Sequence, residues 1–453
     1  MKIKAIPLDI PDDDIFKNDK LQRAESVDNL TKLIKTISQP FVLSINSPWG
    51  TGKTTFINLW RKKLKQEKIY TIYYNAWESD YSHEPLLSFI SEVNGQISAI
   101  TTKTEVQEKL KKFKEIGGKV LLRTIPLAVK LATAGLLNFD DFTDESIAGE
   151  AEKLTNKQIS QYEKNKETVI EFKSKLKGLV KELGEQNLII FVDELDRCKP
   201  TYAVELLEHI KHLFNVEGII FVLSIDKNQL EASVKKLFGE HTEFEGYFKK
   251  FCDLTFNLPK PSTESFINSL FDSLGLFEYF RQVQTNKYFE EFAEIFSVLA
   301  DAMETDYRTI EQISAQINII IRIDRSAKLF LPDVLVFLLL VKYKNHSLFQ
   351  QFCFGQVSYR TLLELISSSS KGKEFLKTFY GTRFEAQLIK LSKEKNEAIN
   401  KLETELKNSN AGSINYKRNQ ELWSYINDSE SIYGFYKVEQ LYKKIELTEK
   451  FHI

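Results

Sequence analysis

One stretch of eleven residues constrains the fold of this chain more than any other feature. The stretch reads SPWGTGKTTFI and covers residues 47–57, and it follows the pattern of a phosphate-binding loop in all but its first position. Such a loop wraps a phosphate with consecutive backbone N–H groups at the start of a helix, and its glycines allow the tight turn. Because this loop lies between a strand and a helix, the stretch predicts an α/β domain.

The departure from the pattern is Ser47, which stands where the usual motif has glycine. A different residue is tolerated there if its backbone φ stays negative, and a following proline restricts Ser47 to extended conformations. We therefore predict a functional loop in which Lys53 reaches the β- and γ-phosphates and the Thr54 hydroxyl binds Mg²⁺. The predicted nucleotide contacts are Ser47, Pro48, Trp49, Gly50, Thr51, Gly52, Lys53, Thr54 and Thr55.

Five short apolar runs predict a mainly parallel β-sheet with helices between its strands. Near-continuous apolar runs of this length are typical of strands buried on both faces, and strand and helix patterns that alternate indicate an α/β domain. We predict two parts of an α/β core at 1–100 and 187–262, a helical insertion at 101–186, and an α-helical C-terminal region at 263–453. The runs cover residues 41–45, 70–74, 187–193, 218–226 and 251–258.

Acidic residues follow the third apolar run, in the segment IIFVDELDR. Asp193 at the end of a buried strand can hold the Mg²⁺ shell, usually through water. Glu194 is placed to orient or polarise an attacking water. The alternative is a pair of solvated acids at a strand end. In the next run, FVLSID, Ser224 and Asp226 are candidates to contact the γ-phosphate or the water, although Asp226 could equally cap the following helix.

Composition argues against several classes of protein. The chain has 62 basic and 63 acidic residues, so its net charge gives no general reason to expect nucleic-acid binding. Lysine-rich patches at 62–68 and 109–114 keep a nucleic-acid motor open, but solvated helix faces explain them more simply. Three widely spaced cysteines indicate reduced thiols in a cytoplasmic protein, and the acidic N-terminal segment does not have the apolar core of a secretion signal.

Two apolar stretches are candidates for membrane spans. Residues 334–341, VLVFLLLV, are too few to cross a bilayer and predict a buried helix segment. Residues 120–137 approach spanning length, but Arg123 and Lys130 would be costly inside a membrane. We therefore predict no span. A helix buried in the protein and a peripheral contact with a membrane surface or a partner stay open for this second stretch.

Several segments together resemble the KAP-type P-loop NTPases, over about residues 12–322. The resemblance implies an ATPase that uses ATP and Mg²⁺, with a parallel sheet of strand order 5-1-4-3-2 and a helical insertion. It implies that Gly50 to Thr54 bind phosphate and Mg²⁺, that Asp193 supports Mg²⁺, and that Glu194 is the catalytic base. The segments are DKLQRAESVDNLTKLI, SPWGTGKTT, YYNAWESD, FVDELDRCKP, FVLSIDKNQL, EGYFKKFCDLTFNLP and DYRTIEQISAQINIIIR.

Two arginines in these segments are candidates for catalysis. Arg197 or Arg308 could sense the γ-phosphate, in cis or across a subunit boundary, since a well-placed arginine strongly accelerates phosphoryl transfer. A structural ion pair is the alternative for each, and for Arg197 the expected partners are Asp196 or Glu205. Trp77 is expected to be a core or sheet-edge aromatic rather than a base-stacking residue.

The family resemblance also suggests a cellular setting. Members occur widely in bacterial defence, some within multi-protein anti-phage systems, which implies a conformational motor or assembly switch in a protein complex. The C-terminal helical region is the expected contact with other subunits, and a homo-oligomer is left open. The alternative is a nucleotide-gated signalling scaffold with little turnover. The presence of Glu194 favours hydrolysis, because a pure switch could lose it.

Overall fold

A computed structural model describes residues 9–82, 84–124, 147–184, 186–282, 286–323, 332–408, 413–427 and 438–449. The chain divides into two compact units. One, here called the sheet unit, comprises Ile10–Asp19 and Arg23–Lys260, and the other, here called the helical unit, comprises Met1–Asp9, Lys20–Gln22 and Pro261–Ile453. The division into four segments that the sequence suggested, at 1–100, 101–186, 187–262 and 263–453, stays a prediction.

The sheet unit contains five parallel strands. They are β1 (Phe41–Asn46), β2 (Thr71–Asn75), β3 (Leu188–Asp193), β4 (Ile219–Ile225) and β5 (Leu254–Asn257). Their order is β2-β3-β4-β1-β5, and each neighbouring pair is parallel. Read from the other edge this is 5-1-4-3-2, so the predicted fold class and strand order are confirmed.

Helices cover both faces of this sheet, which explains why β3 and β4 are buried along their whole length. On one face Trp60, from the helix that follows the loop, packs edge-to-face on Phe191 of β3 with ring centroids 5.3 Å apart. On the other face Phe89 contacts Phe221 of β4 and Phe214. The helices of this unit are Ala24–Thr36, Lys53–Gln66, Ala76–Ser79, Pro85–Ile100, Thr104–Thr124, Ile147–Leu183, Pro200–Leu213, Lys227–Phe238 and Phe244–Phe248, with short 3-10 turns at Asp80–Ser82 and Leu195–Arg197.

The predicted insertion between β2 and β3 is helical in its described part. Thr104–Thr124 and Ile147–Leu183 pack side by side, with the rings of Phe113 and Phe172 5.0 Å apart. The apolar stretch 120–137 begins at the end of the first of these helices, and residues 125–137 lie outside the described residues. In the described part of the chain no helix combines the length and apolar character needed to cross a membrane.

The described part of the helical unit consists of α-helices around an apolar core. The segment 334–341 lies within Pro332–Lys344, and every side chain of it is buried, as predicted. The helices are Thr263–Ser273, Leu276–Gln282, Asn286–Ala302, Tyr307–Ile323, Pro332–Lys344, His346–Cys353, Tyr359–Ser367, Ser370–Phe375, Phe379–Leu391, Lys395–Asn408, Ile414–Asn427 and Val438–Glu449.

Candidate functional site

Ser47 continues the extended backbone of β1 into the loop. Its N–H donates to the carbonyl of Ile225 at 3.1 Å, and its φ is not positive. Its hydroxyl lies 2.7 Å from that of Thr51. The left-handed backbone occurs instead at Gly50 and Gly52, whose φ values are 81° and 85°. Since only those two positions need glycine's conformational freedom, a serine at the first position is compatible with the fold of the loop.

The loop leads directly into the helix Lys53–Gln66, as the sequence predicted. The Lys53 ammonium donates to the carbonyl oxygens of Ser47 at 2.7 Å and Pro48 at 3.2 Å, which places it over the loop. Burial lowers the pKa of Lys53, while the charges of Asp196, Asp226 and Asp193 act in the opposite direction. The first turn of this helix therefore holds a cation close to the loop and to three carboxylates.

Asp193 is buried at the end of β3 and contacts the loop helix. Its Oδ2 accepts hydrogen bonds from the Thr54 hydroxyl at 2.9 Å and from the Tyr73 hydroxyl at 3.1 Å. Burial and the neighbouring Asp193 raise the pKa of Tyr73, so the phenol stays protonated and donates. A threonine hydroxyl and a carboxylate fit Mg²⁺, which is bound through few protein oxygens together with waters and substrate phosphates.

Glu194 has a left-handed backbone, with φ 60°, and its carboxylate has two protein partners. Its Oε1 lies 2.9 Å from Nη1 of Arg197, and its Oε2 accepts from Nδ2 of Asn75 at 3.4 Å. Burial raises the pKa of Glu194, and the Arg197 charge opposes this shift. The structural ion pair named as the alternative for Arg197 is therefore present, but its partner is Glu194, one turn back, and not Asp196 or Glu205.

Two tryptophans lie beside Arg197. Its guanidinium carbon is 5.8 Å from the ring centroid of Trp49 and 5.7 Å from that of Trp77. Trp77 is 53% exposed, so of the two positions predicted for it, core or sheet edge, the sheet edge is the one observed. It lies in the short helix Ala76–Ser79, beyond the carboxyl end of the edge strand β2. Trp49 also donates from its indole nitrogen to Asp196.

The remaining loop candidates and the end of β4 also lie in the sheet unit. Thr55 is half-buried in the first turn of the loop helix. Asp226 caps the helix Lys227–Phe238 by accepting from the Asn228 N–H at 3.1 Å. A helix cap was one of the two roles that the sequence left open for Asp226. Ser224 pairs with Asp193 across β3 and β4, so the two side chains share a face. Its buried hydroxyl has no hydrogen-bond partner within the described ranges.

Arg308 is the one predicted site residue that lies in the helical unit. It belongs to the helix Tyr307–Ile323, and its exposed side chain forms an ion pair with Glu311 at 2.9 Å. This contact is the structural alternative named for it. A catalytic part for Arg308 stays a prediction.

Three residues at the site were not among the predicted set. Tyr73 and Asn75 contact the acid pair because β2 lies beside β3, with Asn75 opposite Asp193 in the register. Arg23 is buried, and its guanidinium donates to the carbonyl oxygens of Thr51 and Pro259. All three residues lie in segments that carry the family resemblance, YYNAWESD and DKLQRAESVDNLTKLI, but apart from the polar Asn75 at the end of an apolar run no residue pattern assigned them a role.

Comparisons with known proteins agree with this geometry. A model described as the KAP family P-loop domain matches residues 23–324. The phage T7 exclusion protein of Escherichia coli K12 is 22% identical over 256 residues, which is 52% of this chain and 32% of that protein. An uncharacterized protein of Methanocaldococcus jannaschii is 26% identical over 194 residues, 39% of this chain and 98% of its own length. The chain thus spans about a third of its E. coli relative.

Two solved structures are distantly similar. The Caenorhabditis elegans PCH-2 structure has 12% identity and a TM-score of 0.29, covering 74% of this chain and 70% of the other. The Aeropyrum pernix ORC2 protein, in ADPNP–ADP complexes, has 10% identity and a TM-score of 0.31, covering 96% and 94%. Similarity this low adds nothing to the argument from the site.

Proposed function

Because the chain belongs to the KAP family of P-loop NTPases, we propose that it binds ATP with Mg²⁺ and hydrolyses it to ADP and phosphate. The observation that carries this proposal is the hydrogen bond of 2.9 Å between Thr54 and Asp193. It brings the loop hydroxyl and the strand carboxylate together, although they are 139 positions apart in the chain. These are the two protein oxygens that a phosphate-bound Mg²⁺ needs.

Each group at the site has a proposed part in the reaction. The backbone N–H groups from Gly50 to Thr54 hold the β-phosphate, and Lys53 exchanges its loop carbonyls for phosphate oxygens. Mg²⁺, when bound, neutralises charge that develops between the β- and γ-phosphates. Glu194 orients the attacking water and accepts its proton, which requires that its carboxylate leave the present partners.

The two arginines and the polar residues of β4 have secondary proposed parts. Arg197 forms an ion pair with Glu194. After a rotation of its side chain, the guanidinium would reach a γ-phosphate beside the acid pair. Arg308 would act from another part of the molecule or from a neighbouring copy. Ser224, which faces the same side of the sheet as Asp193, and Asp226 would contact the γ-phosphate or the water.

A role in anti-phage defence, as a motor or assembly switch in the cytoplasm, is a further part of the proposal. It is supported by the 22% identity to a phage T7 exclusion protein over 256 residues. Other protein subunits would bind through the helical unit, where Phe379, Ile414 and Trp423 expose large apolar side chains. A homo-oligomer would use the same kind of surface.

The experiment that tests the nucleotide proposal compares wild type with Lys53→Ala. Phosphate release and calorimetric binding are measured with Mg·ATP and with Mg·GTP, and light scattering reports the mass with and without nucleotide. We expect the Lys53→Ala affinity to fall at least about tenfold, because charge-assisted hydrogen bonds to phosphate are lost. Lys65→Ala, an exposed lysine of the same helix, is the matched control and should behave as wild type.

The outcomes separate the competing functions. Wild type that binds ATP and releases phosphate supports the ATPase. Binding with a change of mass but without phosphate release supports the nucleotide-gated scaffold. Equal affinities for wild type and Lys53→Ala would contradict the proposed site.

Replacing the serine at the start of the loop should change stability more than binding. In Ser47→Gly the hydroxyl contact with Thr51 is lost and a flexible residue is added to an extended segment, so we expect destabilisation by about 1 kcal/mol. The affinity for Mg·ATP should stay within about threefold of wild type, because the loop binds phosphate through backbone N–H groups. Thermal unfolding and calorimetry measure the two effects. A loss of affinity without a loss of stability would show that the Ser47 hydroxyl itself contacts nucleotide.

Removing the Tyr73 hydroxyl should weaken the Mg²⁺ site. In Tyr73→Phe the Asp193 carboxylate loses a donor that fixes its orientation, and such supporting contacts are typically worth about tenfold or more in metal affinity. We therefore expect half-maximal phosphate release at about tenfold more Mg²⁺. Tyr70→Phe, just before β2, is the control. Identical Mg²⁺ curves for the two variants would mean that Tyr73 only packs.

A further inference from the structure

The indole rings of the two tryptophans beside Arg197 take no part in the hydrolysis steps proposed above, yet they contact the cation that pairs with Glu194. The Arg197 guanidinium carbon lies 5.8 Å from the Trp49 ring centroid and 5.7 Å from the Trp77 ring centroid. The same guanidinium forms the ion pair of 2.9 Å with Glu194. An aromatic face attracts a guanidinium, so two rings from different segments favour the conformation in which Arg197 lies on Glu194.

Trp49 connects this arrangement to the phosphate loop. It stands next to Gly50, whose φ of 81° sets the turn of the loop. Its indole N–H donates to Oδ2 of Asp196, a residue that is only 5% exposed. The other oxygen, Oδ1, has no hydrogen bond within the part of the chain that the structure describes, so the indole is an important support of this buried carboxylate. A change in the loop therefore acts on the segment that carries Glu194 and Arg197.

Trp77 connects the same arrangement to β2. The Asn75 side chain accepts hydrogen bonds from the N–H groups of Trp77 at 3.1 Å and Glu78 at 3.2 Å, which fixes the short helix after β2. Asn75 also donates to Oε2 of Glu194. Both carboxylate oxygens of Glu194 are thus engaged by protein groups, one by Arg197 and the other by Asn75.

We propose that Trp49 and Trp77 form a tryptophan clamp that holds Arg197 on Glu194 and so restrains Glu194 from orienting the attacking water. This inference rests on the proposed hydrolysis. Nucleotide in the loop moves Trp49, which weakens the clamp, while Trp77 stays on Arg197 and keeps part of the restraint on the Glu194 carboxylate. The exposed fractions of 38% for Trp49 and 53% for Trp77 fit a contact that can open without repacking the core. Both tryptophans are positioning residues that act through Arg197.

The first test is the steady-state kinetics of Trp77→Ala in the full chain. We expect kcat to rise about three- to tenfold, the factor that corresponds to losing one cation–π contact that favours the restrained state. KM should stay within about twofold, since no phosphate contact is removed. Trp77→Phe keeps an aromatic face and should lie close to wild type. Tyr81→Ala removes an exposed aromatic from the adjacent 3-10 turn and should leave kcat unchanged.

The second test follows the tryptophans by fluorescence. In Trp77→Phe we expect the emission to change when Mg·ADP or a slowly hydrolysed ATP analogue binds, because Trp49 moves. The change should be lost when Trp49→Phe is added, since Trp60 is buried and Trp423 belongs to the helical unit. Emission that does not respond to bound nucleotide would contradict the coupling through Trp49.

The kinetic outcomes also separate this inference from the proposed function. A kcat for Trp77→Ala that falls, or that changes no more than in Tyr81→Ala, overturns the clamp while the ATPase stands. Wild type and Trp77→Ala that both bind ATP without hydrolysing it likewise overturn the clamp, since release would not restore turnover. If neither wild type nor Trp77→Ala binds nucleotide, both the proposed function and this inference are contradicted.

Discussion

Glu194→Gln is expected to bind Mg·ATP and to lose most of its phosphate release. Glutamine has nearly the same shape and keeps one oxygen to accept from Arg197, although it loses the second acceptor that faces Asn75, and it cannot accept the proton of the attacking water. General-base catalysis typically contributes about 10²- to 10⁴-fold, so kcat should fall by about that factor. The affinity for Mg·ATP should stay within about threefold, because Glu194 acts on the water and not on the ground-state phosphates.

Single-turnover phosphate release and calorimetry with the same preparation measure these two effects. Glu78→Gln is the matched control, because it removes an exposed carboxylate only a few residues from Asn75. Its kcat should equal that of wild type. Undiminished hydrolysis in Glu194→Gln would mean that another group orients and deprotonates the attacking water. Ser224 and Asp226, at the end of β4, would be the next candidates.

Arg23→Met is expected to destabilise the sheet unit and to weaken nucleotide binding. The Arg23 side chain is 2% exposed and donates to the Thr51 carbonyl at 2.9 Å and to that of Pro259. Hydrogen bonds to charged groups are worth about 1.5 to 3 kcal/mol each, so losing both should cost about 3 kcal/mol or more. For a unit of this size the corresponding fall in Tm is about 6 to 12 °C.

The same substitution should also weaken nucleotide binding, because Thr51 lies between the two glycines of the phosphate loop. Without Arg23 the Thr51 carbonyl is no longer fixed, and we expect the Mg·ATP affinity to fall about tenfold. Arg23→Lys should recover only part of either effect, since an ammonium cannot span two carbonyls as a planar guanidinium does. Arg308→Met removes an exposed arginine and should shift Tm little. A stable Arg23→Met protein with normal affinity would show that the loop holds its own shape.

Much of the loop and of the strand pattern could be predicted from the sequence because both depend on local properties. Positive φ at Gly50 and Gly52 is a requirement of single residues, and the negative φ of Ser47 follows from its neighbour Pro48. Apolar runs likewise identified five strands. Burial on both faces, which excludes polar residues, explains the runs of β3 and β4, whereas β2 and β5 at the two edges are only partly buried. The strand order came from the family resemblance, since periodicity within a segment does not identify its neighbours.

The features that the sequence did not predict correctly are contacts between side chains, which local sequence patterns do not specify. For the ion-pair alternative of Arg197 the sequence pointed to Asp196 or Glu205 as partners, but a 3-10 turn at Leu195–Arg197 and the left-handed backbone of Glu194 direct it to Glu194. For Trp77 the sequence left the core and the sheet edge open, and the structure places it at the edge, because the helix in which it lies starts where the edge strand ends. Neither the turn nor the edge position of β2 can be recognised from residue type alone.

The sequence by itself therefore determined the phosphate loop, the acid pair and the class of fold, since each depends on residue types at fixed short spacings. Only the tertiary structure decided which groups surround them. Tyr73 and Asn75 reach the acid pair because β2 pairs with β3 in one particular register, and a shift of one residue would turn both side chains to the other face. Arg23 reaches Thr51 because two segments 28 positions apart meet at the loop. Such contacts depend on how the segments pack together, which no local pattern specifies.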